Sequence, residues 1–266
     1  MNKPDIFFLS HGGGPMPLLG DSSHKEMVAC LKNVATKIRK PSAILIISAH
    51  WEENVATITS TLTPSLIYDY YGFPKAAYEI TYPVKGEPAL ALQVHKQLNK
   101  AGIKAKLDGN RGLDHGVFVP LKIMYPNADI PCVQLSLDHS LNADLHIQIG
   151  QALQALDYDN LLVIGSGFSF HNMSAFFAPD SAEILNLNKG FEQWLQNTCS
   201  NKNITEVART ELLTNWDKAP GARFCQPREE HLLPLHVCYG LANKACDKSF
   251  NVTILNKLSS MYLWQG

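Results

Sequence analysis

The sequence has no excess charge of one sign, no long apolar run and no targeting segment. Its 266 residues carry 23 Lys and Arg against 24 Asp and Glu, interleaved along the chain, so no part of it offers a field for a phosphate backbone or an anionic membrane. No apolar run approaches the ~20 residues that span a bilayer. The run at 6–9 is too short for a signal peptide. We therefore expect a cytoplasmic protein with no nucleic-acid or membrane partner.

Cysteine is present, but never as a Cys-x-x-Cys pair. The spacing of the 6 cysteines supports neither a disulfide scaffold nor a zinc ribbon and is typical of reduced thiols in a core. A Gly-x-Ser-x-Gly elbow, a phosphate loop and a dinucleotide fingerprint are also missing. Any metal site must therefore use histidine and carboxylate ligands.

Short apolar runs alternate with helix-length amphipathic stretches. The runs have the composition of strands buried on both faces and lie at 6–9, 43–49, 132–137 and 161–164. The stretches with helical spacing of apolar residues lie at 24–38, 87–101, 142–156 and 181–198. This order predicts one catalytic α/β domain over residues 1–266, with a central, largely parallel mixed sheet flanked by helices. Antiparallel edge strands are expected at 55–60 and 252–255.

The segment 63–82 differs from the rest of the chain. It holds five tyrosines, Phe73, two prolines and Gly72, and it is too irregular for a helix. Two interpretations stay open: an ordered loop over a site, or an aromatic loop packed on the edge of the sheet.

Three histidines each follow one of the predicted strands, namely His11, His50 and His171. In open α/β sheets, ligands bind beyond the carboxyl ends of the strands. A lone histidine at a strand end is usually a hydrogen-bonded structural residue, but three together favour a site.

Two further histidines belong with these three. His115 lies in a glycine-flanked loop before a predicted helix at 119–124, and His231 follows Pro227 and an acidic pair that predict a helix start. Imidazole binds Fe(II) or Zn(II) well and transfers protons near pH 7, so the five could supply both functions. The remaining histidines fit structural roles: His24, His95, His139, His146 and His236.

Six motifs in order resemble those of the class III extradiol ring-cleavage dioxygenases, with the DOPA 4,5-dioxygenase-like branch as the closest. The motifs are His11-Gly-Gly-Gly-Pro15, Ser48-Ala-His50-Trp51, Tyr71-Gly-Phe-Pro74, Asp114-His115-Gly116, Gly165-Ser-Gly167 with His171-Asn172, and Glu230-His231-Leu-Leu-Pro234-Leu235. The similarity runs nearly the full length of the chain.

The resemblance implies an enzyme that binds Fe(II), often found with Zn(II) instead, and inserts both atoms of O2 into a DOPA-like catechol. His11, His50 and His231 match the metal positions of the family. More distant relatives supply a glutamate as the third ligand, so Glu230 is the alternative to His231, which we favour. If zinc fills the site, His171 could be a fourth ligand.

The resemblance also places His115 and His171 on the substrate and O2 side. Ring cleavage needs a base for the second catechol proton and an acid as the O–O bond breaks. We assign His171 as the base and His115 as the acid or O2-side donor, with Asp114 as its orienting partner. The expected walls for the substrate ring are Tyr68, Tyr71 and Phe73.

Two other functions fit the same histidines: a zinc-dependent hydrolase, and a non-catalytic metal-binding protein on the same fold. For the dioxygenase, the partners are a small catechol and O2, and the expected assembly is a monomer or small homo-oligomer. Arg223 and Arg228 are candidates to hold a substrate carboxylate, but a solvated surface arginine is the more common case. Phe168 and Phe170 make the loop 165–171 bulkier than the family leads us to expect.

Overall fold

The apolar runs of the sequence form the strands of one mixed sheet in a computed structural model that describes residues 3–266. Within those residues the strands are β1 (Asp5–Ser10), β2 (Ala43–Glu53), β3 (Ala56–Thr59), β4 (Ala105–Asp108), β5 (Cys132–Asp138), β6 (Leu161–Gly167), β7 (Lys248–Ile254) and β8 (Lys257–Trp264). The α-helices are α1 (Lys25–Lys37), α2 (Pro88–Lys100), α3 (His115–Met124), α4 (Ala143–Leu153), α5 (Met173–Phe177), α6 (Ala182–Ser200), α7 (Glu206–Thr214), α8 (Ala222–Cys225) and α9 (Leu233–Ala242). The predicted α/β class is confirmed.

The strand order in the sheet is β4-β3-β5-β2-β6-β1-β8-β7. The four central strands, β5, β2, β6 and β1, run parallel, and β8 pairs antiparallel with both β1 and β7. Ser10 lies opposite Gly167, and Ser48 lies opposite Ser166. The carboxyl ends of β1, β2 and β6 therefore meet at one edge of the sheet, where the rule for parallel sheets places a site.

Both faces of the sheet are covered by apolar side chains. Along β1, Ile6 and Phe8 pack into one buried cluster, whereas Phe7 and Leu9 pack into the other. This alternation follows from the two-residue period of a strand, and burial on both faces explains why the run has no polar residue.

Two expected edges of the sheet have different outcomes. The predicted antiparallel strand at 252–255 overlaps the end of β7, an edge strand that begins earlier, at Lys248, and ends at Ile254. The prediction for 55–60 was wrong in one respect: β3 pairs antiparallel with β5, but β4 pairs parallel on its other side and forms the edge. β4 has only four residues, none of them buried, so it lacks the apolar run that identifies a strand.

Two helix starts differ from the sequence prediction. α3 begins at His115 itself, so His115 is not on a loop before the helix. α9 begins at Leu233, not at the acidic pair, and its Pro234 lies in the first turn, where the missing N–H costs little. His231 therefore lies on the segment that enters α9.

All six cysteines are free, and five of them are buried, as predicted for reduced core thiols. Among residues 3–266, no helix is both long enough and apolar enough to cross a bilayer.

Candidate metal centre and active site

The structure brings His11, His50 and His231 together at the carboxyl edge of the sheet. Their ring nitrogens lie within 4.8 Å of one another. Nε2 of His50 is 3.1 Å from Nε2 of His11. This separation is shorter than two metal–nitrogen bonds of about 2.0–2.1 Å, so one ion can reach both nitrogens.

The Nδ1 atom of His11 is held by Ser166. The Ser166 hydroxyl oxygen lies 3.0 Å away and donates its own proton to the carbonyl of Gly116. That carbonyl is available because Pro120, four residues later in α3, has no N–H to bond it. Because the Ser166 hydroxyl donates its only proton to Gly116, its oxygen can only accept a hydrogen bond from Nδ1–H of His11. The lone pair of His11 is therefore on Nε2.

In His50 and His231, as in His11, an acceptor oxygen lies beside Nδ1, but here it belongs to a carboxylate. Nδ1 of His231 lies 3.0 Å from Oε1 of Glu230, and Nδ1 of His50 lies 3.5 Å from Oδ2 of Asp69. A carboxylate next to Nδ1 keeps the proton there and leaves Nε2 as the ligand atom. Nε2 of His231 is buried and has no hydrogen-bond partner among the described residues. This orphaned atom and the two facing Nε2 atoms fit a bound metal ion.

The protonation state of these rings also suits a metal. Burial, together with the neighbouring histidines His231 and His115, holds the pKa of His11 well below its usual value. Burial lowers the pKa of His231 to about 3, with His171 adding to the effect. The pKa of His50 is likewise well below its usual value, first because of burial. The rings are therefore neutral at physiological pH, as metal binding requires.

Gly167, at the end of β6, allows His231 to approach. A Cβ atom at Gly167 would lie 2.1 Å from the carbonyl oxygen of His231. That carbonyl accepts a hydrogen bond of 2.8 Å from the backbone N–H of Phe168. The Gly165-Ser-Gly167 motif is thus structural. Gly167 allows the backbone of His231 to approach, and Ser166 accepts a hydrogen bond from His11.

His24 supports the glycine-rich loop after His11. Its Nε2 accepts a 3.0 Å hydrogen bond from the N–H of Gly13, and its Nδ1 lies 2.9 Å from Asp21. Gly12 has a φ of +82°, and a Cβ there would lie 2.7 Å from Pro17. The interpretation of His24 as a structural residue fits this role.

Asp69 forms two hydrogen bonds with His115, and the sequence pattern did not identify Asp69 as a site residue. One oxygen of Asp69 lies 2.8 Å from Nδ1 of His115 and accepts from its backbone N–H at 2.9 Å. The expectation that Asp114 orients His115 was wrong. Asp114 accepts instead from Ser48 at 2.7 Å, from Arg111 and from Gln134, so it fixes the end of β2.

His171 stacks on His231, with ring centroids 3.4 Å apart and 14° between the planes. Its Nδ1 lies 3.6 Å from Oε1 of Glu230, the same carboxylate oxygen that lies 3.0 Å from Nδ1 of His231. Burial alone would raise the pKa of Glu230, but its hydrogen bonds to His171 and His231 outweigh burial and lower the pKa. His171 groups with Glu230 and His231 as a second set of possible ligands rather than with His11 and His50.

A cavity of about 460 Å³ opens in front of these rings. His11, His50, His115, His171 and His231 all line it. The rest of its wall is Gly12, Gly13, Gly14, Met16, Tyr70, Tyr71, Phe73, Phe168, Met173, Phe176, Phe177 and Leu255. Its volume lies within the range of small-molecule sites, about 300–1,000 Å³.

Three aromatic side chains were expected to form the walls, and two of them line this cavity, Tyr71 and Phe73. Tyr68 does not: its hydroxyl donates to the carbonyl of Ile80, and its ring packs edge-on against Tyr70. The segment 63–82 is therefore an ordered loop over the site that contributes Tyr70 in place of Tyr68. Phe168 also lines the cavity, whereas Phe170 is buried in the core.

The comparison with known proteins is consistent with this arrangement. The family described as "Catalytic LigB subunit of aromatic ring-opening dioxygenase" matches residues 5–262. The chain belongs to the LigB family. Members of this family are metal-dependent, and in this chain His11, His50 and His231 form a group that could hold the ion.

The names of several relatives of this LigB family protein also indicate an aromatic ring-opening dioxygenase. A "4,5-DOPA dioxygenase extradiol" of Beta vulgaris is 38% identical over 91% of this chain and 88% of the relative. A protein of the same name from Escherichia coli K12 is 34% identical over 86% and 81%. The crystal structure of an uncharacterised protein from Escherichia coli K12 superposes with a TM-score of 0.76 at 28% identity, covering 98% of this chain and 99% of that one. The chain is an extradiol ring-cleavage dioxygenase, which uses O2 and a small aromatic substrate, and the hydrolase and non-catalytic alternatives are not favoured.

Proposed function

We propose that this dioxygenase, one catalytic domain over residues 1–266, opens the ring of a catechol at Fe(II) bound by His11, His50 and His231. The observation that carries the proposal is the convergence of the three rings, each with its Nδ1 beside an acceptor and His231 with a buried, unpartnered Nε2. When bound, the iron would bring O2 and the catechol together and allow electron transfer between them. Zn(II) can fill the same three nitrogens in the isolated protein.

His115 and His171 are the proposed proton-transfer groups. Each has a carboxylate near Nδ1, Asp69 for His115 and Glu230 for His171, so each can take or give a proton at Nε2. The His115 ring lies 3.9 Å from that of His50, whereas His171 stacks on His231. The two rings thus stand beside different metal ligands and can serve different oxygens. We assign His171 as the base for the second catechol proton and His115 as the acid or O2-side donor.

The substrate class follows from the names of the relatives. Several are named for DOPA, a catechol with an amino-acid side chain, so a substituted catechol is the proposed substrate class here. The aromatic side chains of Tyr70, Tyr71 and Phe73 would pack against its ring. We further propose a cytoplasmic monomer or small homo-oligomer that acts without nucleic acid or membrane.

The decisive experiment is anaerobic reconstitution with Fe(II), followed by oxygen uptake with a set of catechols. We expect one O2 consumed per catechol and a yellow ring-opened product, in the Fe(II) form and not in the Zn(II) form. Equal activity of the Zn(II) form, or turnover without oxygen, would contradict the proposal and support a hydrolase.

A further inference from the structure

The cavity in front of the histidines has no charged wall. Apart from the histidine rings, its lining in the described part of the chain contains no Lys, Arg, Asp or Glu. The hydroxyl of Tyr70, which could have offered a polar contact, donates instead to the carbonyl of Ala77 at 2.6 Å. A charged ring substituent that packs against these other walls would therefore lose water and gain no opposite charge from them in return.

The arginines near the site are engaged elsewhere. Arg228 forms a two-bond ion pair with Glu52, at 2.5 and 2.6 Å, and lines a separate small cleft on which His50 and His231 also border. Arg223 pairs with Glu229 at 2.6 Å. Neither arginine lines the cavity, so neither is placed to hold a substrate carboxylate.

Large apolar side chains are exposed where the cavity opens. Tyr71 is 92% exposed, Phe177 is 79% exposed and Met173 is 54% exposed, and all three line the cavity. Apolar surface of this kind gains free energy when a ligand covers it. An apolar group that extends from the substrate ring towards the opening would cover these side chains and exclude water from them, whereas a charged group would leave them exposed to solvent.

We infer that the preferred substrate is a catechol whose ring substituent is uncharged and apolar, in preference to the amino-acid side chain of DOPA. The inference rests on the proposed function and narrows its substrate class. It separates this chain from the relatives whose names include DOPA.

The test uses four catechols that share a ring and a chain of similar length. 4-Propylcatechol is neutral, 3-(3,4-dihydroxyphenyl)propionate is an anion, dopamine is a cation, and L-DOPA carries both charges. With the Fe(II) enzyme, we expect kcat/KM for 4-propylcatechol to exceed the other three by about 10–100-fold. Binding to the Zn(II) form without oxygen, measured by calorimetry, should give the same order of Kd.

A charge placed at the opening should reverse the order. Phe177→Arg should raise kcat/KM for the propionate at least tenfold relative to 4-propylcatechol, because an opposite charge then faces the substituent. Val207→Arg is the matched control, since Val207 is 82% exposed on α7 and does not line the cavity. Its substrate order should be that of the wild type.

The outcomes separate the inference from the proposed function. A higher kcat/KM or tighter binding for L-DOPA, dopamine or the propionate than for 4-propylcatechol overturns the inference and leaves ring cleavage standing. No oxygen uptake with any of the four at full iron loading refutes the proposed function, while the binding order of the Zn(II) form still decides the inference. No binding by any of the four overturns both.

Discussion

The hydroxyl oxygen of Ser166 lies 3.0 Å from Nδ1 of His11, and this contact leaves Nε2 of His11 free to bind a metal ion. Ser166 is buried and its hydroxyl donates to the carbonyl of Gly116. In the contact with His11, Nδ1 is therefore the donor and the Ser166 oxygen is the acceptor. A residue on β6 thus orients His11, the histidine after β1 that we propose as a metal ligand.

Ser166→Ala should weaken metal binding by about 10–100-fold, because His11 loses the acceptor that fixes its tautomer and orientation. The measurement is a competition titration of the variant against a chelator of known affinity. Ser259→Ala is the control, since the Ser259 hydroxyl is also buried in a strand but has no partner among the described residues. Equal affinities of wild type and Ser166→Ala would contradict the role of Ser166.

His115→Phe and His171→Phe should retain iron and lose about 10²–10⁴-fold in turnover, the usual scale of general acid–base catalysis. Iron content and oxygen uptake are measured on the same folded samples. His95→Phe, a half-buried position on α2, should behave as the wild type. Full activity of both active-site variants would refute the proposed acid–base assignment, and loss of iron in both would mean that these rings build the metal site.

Gly167→Ala should displace His231, because the new Cβ would lie 2.1 Å from the carbonyl oxygen of that residue. We expect a loss of about 1–3 kcal/mol in the free energy of unfolding, the usual cost of overpacking, together with weaker metal binding. Denaturant unfolding and metal stoichiometry test both. Gly109→Ala is the control, since a Cβ there meets no atom closer than 4.0 Å. An unchanged metal content in Gly167→Ala would show that the close approach is not needed.

A buried carboxyl away from the site should make stability depend on pH. Burial raises the pKa of Glu192, whose Oε2 lies 2.5 Å from the Ser260 hydroxyl, from 4.5 to about 7. The protonated form is favoured in the folded protein, so this contribution to stability is full below pH 4.5 and is lost as the pH rises through 7. The free energy of unfolding should fall by about 3 kcal/mol across that window.

Glu192→Gln should remove this fall, because the amide stays neutral. Urea unfolding of the wild type and the variant between pH 4.5 and 8 tests the expectation. Glu183→Gln, an exposed position on the same helix, should keep the wild-type pH dependence. Parallel curves for wild type and Glu192→Gln would show that Glu192 does not carry the effect.

The sequence predicts the part of the site that depends on local pattern. His11 and His50 follow apolar runs, and buried parallel strands end together, so their meeting at one edge was predictable. Asp69 was not, because it lies 46 residues from His115 in an irregular segment, and no periodicity connects the two. Tyr70 and Tyr68 cannot be told apart for the same reason, since only the path of the loop decides which ring faces the cavity.

The start of α3 was missed for a different reason. Pro120 and Gly116 are residues that usually interrupt a helix, so the pattern favoured a later start. In the folded chain, the carbonyl of Gly116 that Pro120 leaves unpaired accepts from Ser166. A tertiary contact thus compensates for the local penalty, and such compensation cannot be read from the segment alone.

The three histidines also link distant parts of the chain. His11 and His50 are 39 residues apart, and His231 follows far later in the sequence. An ion bound to all three would cross-link β1, β2 and the entry to α9, and the three rings converge in this way only in the folded chain. Metal loading would therefore stabilise the folded protein as well as supply the chemistry, and we expect the melting temperature to rise with the concentration of free metal.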